Sequence, residues 1–537
     1  MVFFAFMLSC SDNQIIIWEN YDESQEIEEN SNHEIDRMRY KRLQSLNTDR
    51  NDIFKPFHKF LESYDIKYHN SLKNLIINQE ISSIQKYVSE GRFSYEDLVK
   101  FYIYRIYKFE MDANLYLNSI ISLNPNVIDE AKDLDLQKNM DNPLHGIPIL
   151  VKDNINVDGM VTSAGASVFK NNYVDENARV IDNLKSDNVL ILGKLNMSEW
   201  AYYFCRPCPV GYSSIGGQTL NPYGRKIFES GGSSSGSGVS IAANFAAASI
   251  GTETSGSILS PSSKNSLVGL KPTIGSISRS GIVPISSFFD TSGPMSTNVH
   301  DNALLFNSMI GYDNEDELSY QAEKINLDDM KNFIPENIAA GISSNYLNDS
   351  LILVALNDLK KVGISIKIFD PEQYSIPSFR SILTSDMKRD LPEYISKYAN
   401  KNIQTLNVSD IIQFNNMDTL VHAPYGQYIF NQIKKDIVTD LELNQMKINT
   451  KSVATDYLNG IMINNDFDVF ISVDNNMAGI AAAAHFPALT IPMGYRDDNQ
   501  PSNITFIASS KNEKLLYNIA YQYEKQSKRR VPPKKYN

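Results

Sequence analysis

Residues 229–257 read ESGGSSSGSGVSIAANFAAASIGTETSGS. Two clusters of glycine and serine flank a small-residue run, Val239 to Ile250, interrupted only by Ser240, Asn244 and Ser249. A glycine–serine linker stays a random coil because nothing in it can be buried. Here the apolar run predicts a helix made for close packing. The turn from Ser233 to Gly238 would feed its N-terminus, where unpaired N–H groups can cradle an anion. The stretch therefore reads as a site inside a folded domain.

The surroundings agree with an α/β architecture. FSYEDLVKFYIYRIYKFE (93–110) predicts a helix, with Ser94 and Asp97 spaced as a capping box. PLHGIPILVKDNI (143–155) holds a short apolar strand, Ile147 to Val151, that runs into Lys152. ARVIDNLKSDNVLILGKLN (178–196) reads as helix, turn and strand. FDVFISVD (467–474) and PALTIPMG (487–494) read as buried strands, and NEKLLYNIAYQYEKQ (512–526) as an amphipathic helix. Alternation of this kind predicts one large domain over 82–537, with a central mixed sheet covered by helices on both faces. Its candidate chemical core spans about 145–310, and a more variable, Asn/Lys/Asp-rich region spans about 311–420. Residues 21–81 read as a polar linker followed by N-terminal helices.

The chain has 537 residues, 42% apolar and 21% charged, with a formal net charge of −13. That is ordinary globular usage. The acidic balance argues against nucleic acid as a partner, because phosphate binding needs a basic face. The basic stretch KQSKRRVPPKK (525–535) reads as a solvated tail. The opening MVFFAFMLSCSDNQ (1–14) resembles a lipoprotein signal ending at Cys10, although it has no Lys or Arg before the apolar run. Export, with residues 1–20 as signal and tether and membrane anchoring through lipid on Cys10, is the expectation. A cytoplasmic location is the alternative. Cys205 and Cys208, the other two cysteines, lack partners for a zinc site and read as a loop pair able to close a local disulfide.

Serine needs an activating base. One candidate is Gly232 to Gly236, which matches the G-x-S-x-G elbow with Ser234 as nucleophile and His300, His422 or His485 as base. That motif wants a strong strand before it, and GRKIFE (224–229) is short and charged. The other candidate base is Lys152, at the end of the apolar strand. An unperturbed lysine, of pKa about 10.4, is about 0.04% neutral at pH 7; burial that lowers it by about three units makes it a usable base.

Several segments, in order, resemble the amidase signature family of serine hydrolases, in the style of the branch that holds bacterial peptide amidases. They are GIPILVKDN (146–154), GKLNMSEWA (193–201), GGQTLNPYG (216–224), GGSSSGSG (231–238), GTETSGSI (251–258), SLVGLKPTIGSISRSGIVP (266–284), FFDTSGPM (288–295) and AAAAHFPALTIPMG (481–494). The resemblance implies amide hydrolysis to acid plus ammonia or amine through a Ser–Ser–Lys triad, with no metal or organic cofactor and a small-molecule or peptide amide as substrate. It makes Ser257 the nucleophile and Ser233, after a cis Gly232–Ser233 peptide, the relay to Lys152. The backbone N–H groups of Thr254, Ser255, Gly256 and Ser257 would form the oxyanion hole. Ser234, Asp290 and Thr291 would support the site, and Lys271 would make a structural contact. The sequence departs from the family pattern with Leu259 where Arg is frequent and Ser266 where Gly is common, while Ser230 stands where Pro or Ser is usual. A homologous amidotransferase A-type subunit and a catalytically silent binding protein on the same fold are the competing readings.

Overall fold

The computed structural model describes residues 13–137 and 142–537. Its spine is an eleven-stranded mixed sheet. The strands in it are β1 (Ile120–Leu123), β2 (Pro148–Lys152), β3 (Leu190–Leu195), β6 (Ala248–Glu253), β7 (Val268–Lys271), β8 (Thr291–Ser296), β9 (Ala339–Ser343), β10 (Ser365–Phe369), β11 (Val469–Val473), β12 (Ala488–Tyr495) and β13 (Pro501–Ile507). The small pair β4 (Tyr212–Ser213) and β5 (Gly217–Gln218) stands apart. The spatial order is β1-β3-β2-β6-β8-β7-β12-β13-β11-β9-β10.

Every residue of β2, β3 and β6 is buried. Strands covered on both faces read as continuous apolar runs, which is why PILVK stands out in the sequence. β2 lies parallel to both β3 and β6, with Val151 opposite Ile250. Parallel neighbours end on the same side of the sheet. Lys152, the last residue of β2, therefore arrives beside Thr252 and Glu253 at the end of β6. Ligand sites of open α/β sheets form at such carboxyl ends.

The predicted continuous helix over Val239 to Ile250 is corrected. The helix runs from Ser235 to Ala242. Asn244 then takes a left-handed turn, φ 56°, and the chain re-enters the sheet as β6. A run of small apolar residues satisfies a buried helix and a buried strand equally, and an asparagine that tolerates the left-handed region decides where one stops. The other expected elements form as read. The helix Tyr95–Glu110 starts on a complete Ser94/Asp97 capping box, and the helix Glu513–Ser527 packs on β12 and β13.

The stretch read as a polar linker is held against the body. Met38, Tyr40, Leu43, Phe54, Phe57 and Leu61 belong to the main core, and Trp18, ahead of that stretch, joins them. Its polar residues close backbone positions: Asn51 accepts from Trp18 N–H at 2.8 Å and donates to the Trp18 carbonyl at 2.9 Å. Polar composition misleads here because the asparagines do structural pairing that looks like solvation. The region 311–420 contributes β9 and β10 to one sheet edge. Between β10 and β11 a helical cap follows, including Phe379–Tyr398 and Asp440–Asn465. No helix among the described residues is long and apolar enough to cross a membrane. Cys10 lies outside the described residues.

Candidate active site

Lys152 is fully buried at the end of β2. Its ammonium nitrogen donates to Ser233 Oγ at 2.8 Å, Thr252 Oγ1 at 2.7 Å and the Thr252 carbonyl at 3.2 Å. Asn154 Nδ2 donates to the same Thr252 hydroxyl at 3.0 Å. Burial pulls Lys152 down to about 7, against the carboxylates of Asp290 and Glu253, which hold it up. A lysine poised near neutrality can take a proton and give it back.

Ser233 follows a cis Gly232–Ser233 peptide, as expected. A Cβ at Gly232 would lie 2.5 Å from Val210 Cγ1 and 2.7 Å from Ser198 Oγ, so only glycine fits there. Ser233 is 1% exposed and Ser257 is 9% exposed. Among the described residues no hydrogen bond is made by Ser257 Oγ, while its carbonyl accepts from Ser234 N–H at 3.2 Å. The structure thus brings Lys152 and Ser233 into direct contact and ties the Ser257 turn to the Ser233–Ser234 turn, with Ser257 the most exposed of Ser233, Ser234 and Ser257.

Ser234 is fully buried, and its hydroxyl both donates to the Thr252 carbonyl at 3.0 Å and accepts from Thr252 N–H at 3.1 Å. That double bond to the β6 backbone makes it a structural hydroxyl. The histidines of the elbow reading lie elsewhere: His422 pairs with Ser167 Oγ at 2.8 Å, His300 sits beside Asp301, and His485 packs on Phe288. None of them bonds to Ser234.

One oxyanion-hole expectation is corrected. Gly256 N–H already donates to Glu253 Oε1 at 2.6 Å. Glu253 Oε2 accepts from Ile258 N–H at 2.7 Å and Leu259 N–H at 3.0 Å. The Gly256 N–H is therefore already committed to one of the three bonds that hold this buried carboxyl group. Among the described residues the N–H groups of Thr254, Ser255 and Ser257 have no protein acceptor, so these three are the donors open to an oxyanion. Burial raises Glu253 above its ordinary range while those N–H groups and Lys271 pull it back. The signal for Glu253 was present in the sequence: an acid just before the short helix Leu259–Lys264 is where helix N–H groups call for an anion. Lys271 is buried and donates to the Pro272 carbonyl at 3.0 Å, the structural role expected of it.

Asp290 Oδ1 accepts from Thr254 Oγ1 at 2.5 Å, and Oδ2 accepts from Ile285 N–H at 2.7 Å and Ser286 N–H at 2.9 Å. It therefore braces the turn carrying Ser257 against the loop ahead of β8. Burial pushes it up to about 6. Thr291 is buried as the first residue of β8, its hydroxyl donating to the Ser292 carbonyl at 3.0 Å. Leu259, where Arg is frequent in the family, is wholly buried in an apolar cluster with Phe289 and Ala478. Cys205 and Cys208 form a disulfide.

Comparison with known proteins bears directly on this arrangement. The family model described as Amidase matches residues 97–436, more than half the chain and all of the site. The chain belongs to the amidase family. A probable amidase of Arabidopsis thaliana is 29% identical to it over 484 residues, 84% of this chain and 91% of the relative. The crystal structure of an amidase family protein from Bacillus anthracis superposes with a TM-score of 0.85 at 33% identity, covering 90% of this amidase and 98% of that chain. Native peptide amidase from Stenotrophomonas maltophilia superposes with a TM-score of 0.80 at 29% identity, covering 85% and 98%. The protein is an amidase, a hydrolase of amide C–N bonds, on the amidase signature fold.

Proposed function

We propose that this amidase hydrolyses primary amides, including the C-terminal carboxamides of peptides, through Ser257, Ser233 and Lys152. One observation carries the reading: the buried Lys152–Ser233 hydrogen bond of 2.8 Å, on a turn tied to that of Ser257, whose hydroxyl has no partner among the described residues. The likeness to peptide amidase supports the substrate class.

In the proposed reaction neutral Lys152 takes the proton of Ser233 Oγ as Ser233 takes that of Ser257, and Ser257 Oγ adds to the amide carbonyl. The N–H groups of Thr254, Ser255 and Ser257 receive the oxyanion; such donors are worth several kcal/mol in the transition state. Lys152 returns its proton through Ser233 to the departing nitrogen, which leaves as ammonia. Proton delivery matters because an unprotonated amide nitrogen is a poor leaving group. Water, activated by the same relay, then releases the acid from the Ser257 ester. Thr252 and Asn154 hold the lysine in line.

The test is labelling with a fluorophosphonate and peptide mapping of the adduct, with Ser257→Ala and Lys152→Met alongside. Adduct on Ser257, abolished by the first variant and strongly slowed by the second, supports the proposal. Adduct on Ser234, indifferent to Lys152, overturns it. For location, we propose export with lipid on Cys10. The Cys205–Cys208 disulfide supports an oxidising compartment, and radiolabelled palmitate that fails to enter the wild-type protein would refute the anchor.

A further inference from the structure

Gly479 is the second residue of the helix Ala478–Ala483, whose other members are alanines and Ile480. Nothing in the backbone asks for glycine there. Its φ lies outside the left-handed region, and a Cβ built on it would meet only Ile376 Cδ1 at 3.4 Å and Ser255 Oγ at 3.8 Å, both ordinary contact distances. Alanine would be the better helix former at that position. Gly479 is also half-buried, where the alanines around it are buried.

The space it leaves open has two sides. One is Ser255, on the turn whose N–H groups face the proposed oxyanion. The other is Ile376, in the segment leading to the helix Phe379–Tyr398. The apolar side continues through Phe379, whose ring lies 4.8 Å from that of Phe289, and through Phe288 and Met477. All four of Ile376, Phe379, Phe288 and Met477 are only partly buried, although they pack on a closed apolar cluster. Apolar side chains left half open beside a few converging polar groups are what a ligand pocket looks like.

We infer that Gly479 is a specificity-determining position: its missing side chain makes room, between Ile376 and the Ser255–Ser257 turn, for an apolar side chain on the acyl part of the substrate. The inference rests on the Ser257 reading above. With ammonia as leaving group, only the acyl part carries a side chain, so the occupant belongs to it. The substrate class is then an amidated amino acid or peptide whose last residue is aliphatic or aromatic.

The experiment compares ammonia release from N-acetylleucinamide and N-acetylglycinamide by wild type, Gly479→Ala and Gly479→Leu, with melting temperature and fluorophosphonate labelling of Ser257 read on each. Wild type is expected to prefer the leucine amide by about tenfold or more in kcat/KM, the span a pocket for a few methylene groups supports. Gly479→Ala is expected to fold at least as stably and to cut that preference several-fold, and Gly479→Leu to remove it. Ile376→Ala is expected to move preference toward larger aromatic amides. Wild type that labels at Ser257 but shows no preference, or a Gly479→Ala protein that keeps the full preference, overturns this inference and leaves the catalytic reading standing. Wild type that does not label at Ser257 overturns both.

Discussion

The Glu253 carboxylate takes the Gly256 amide at 2.6 Å, one residue before Ser257. The same side chain holds the amides of Ile258 and Leu259, so the turn carrying Ser257 is clamped on both sides of that serine. Removing the charge should loosen the turn. Glu253→Gln keeps the shape but turns one acceptor into a donor facing an N–H. An orphaned buried group costs about 1–3 kcal/mol. The expected result is a lower melting temperature together with a fall in kcat larger than the change in KM, measured by thermal unfolding and steady-state kinetics.

Lys152 must be neutral to accept a proton, and burial brings it to about 7. Activity should therefore rise with pH through an inflection near 7. The sign for stability follows the same shift. Between about 7 and the ordinary lysine value the unfolded chain binds more protons than the folded one, so stability should increase with pH across that window. Lys152→Met should remove the inflection, lower kcat/KM by roughly a hundredfold to ten-thousandfold, and flatten that part of the stability profile. A pH–rate series and matched urea melts check both.

Asp290 raises Lys152 electrostatically while it braces Thr254. Asparagine keeps a carbonyl for the Ile285 and Ser286 amides and loses the charge. Asp290→Asn is expected to shift the inflection of the pH–rate profile to lower pH, because the lysine loses a stabilising anion. An inflection that stays in place would mean that Asp290 acts on the loop alone.

Ser234 and Ser257 make opposite predictions from neighbouring motifs. Ser257→Ala should abolish acylation with little change in melting temperature, since among the described residues its hydroxyl has no hydrogen-bond partner. Ser234→Ala should still label at Ser257 but lose about 1–3 kcal/mol, because Thr252 N–H is left unpaired in the core. Denaturant titration and adduct mapping of the two variants separate the roles.

The roles expected of Ser233 and Ser257 came only from the resemblance of GGSSSGSG and GTETSGSI to the amidase signature family. What local pattern made legible was that Lys152 closes an apolar strand and that Ser233 sits in a Gly/Ser turn, each with a local cause, namely a buried strand or a turn needing glycine. The α/β class followed from alternating periodicities for the same reason. The reading stalled where one local pattern serves two structures. Val239 to Ile250 suited a helix or a strand, and only its neighbours β2 and β8 turned Ala248–Glu253 into a strand. The asparagine-rich N-terminal stretch suited a linker until Trp18 found Asn51 across the chain.

The sequence by itself determined which residue types stand at the ends of β2 and β6 and in the two glycine–serine turns, because those follow from burial and turn chemistry within a few residues. Only the tertiary structure decided what they do to one another. Parallel pairing of β2 with β6 brings Lys152 to Thr252 and lowers its affinity for a proton. The fold back of Glu253 occupies the Gly256 amide, and the contact with Thr252 makes Ser234 structural. Lys152 and Thr252 stand 100 residues apart and Ser234 and Thr252 18, and a chain acquires such pairings only when its backbone is closed around them.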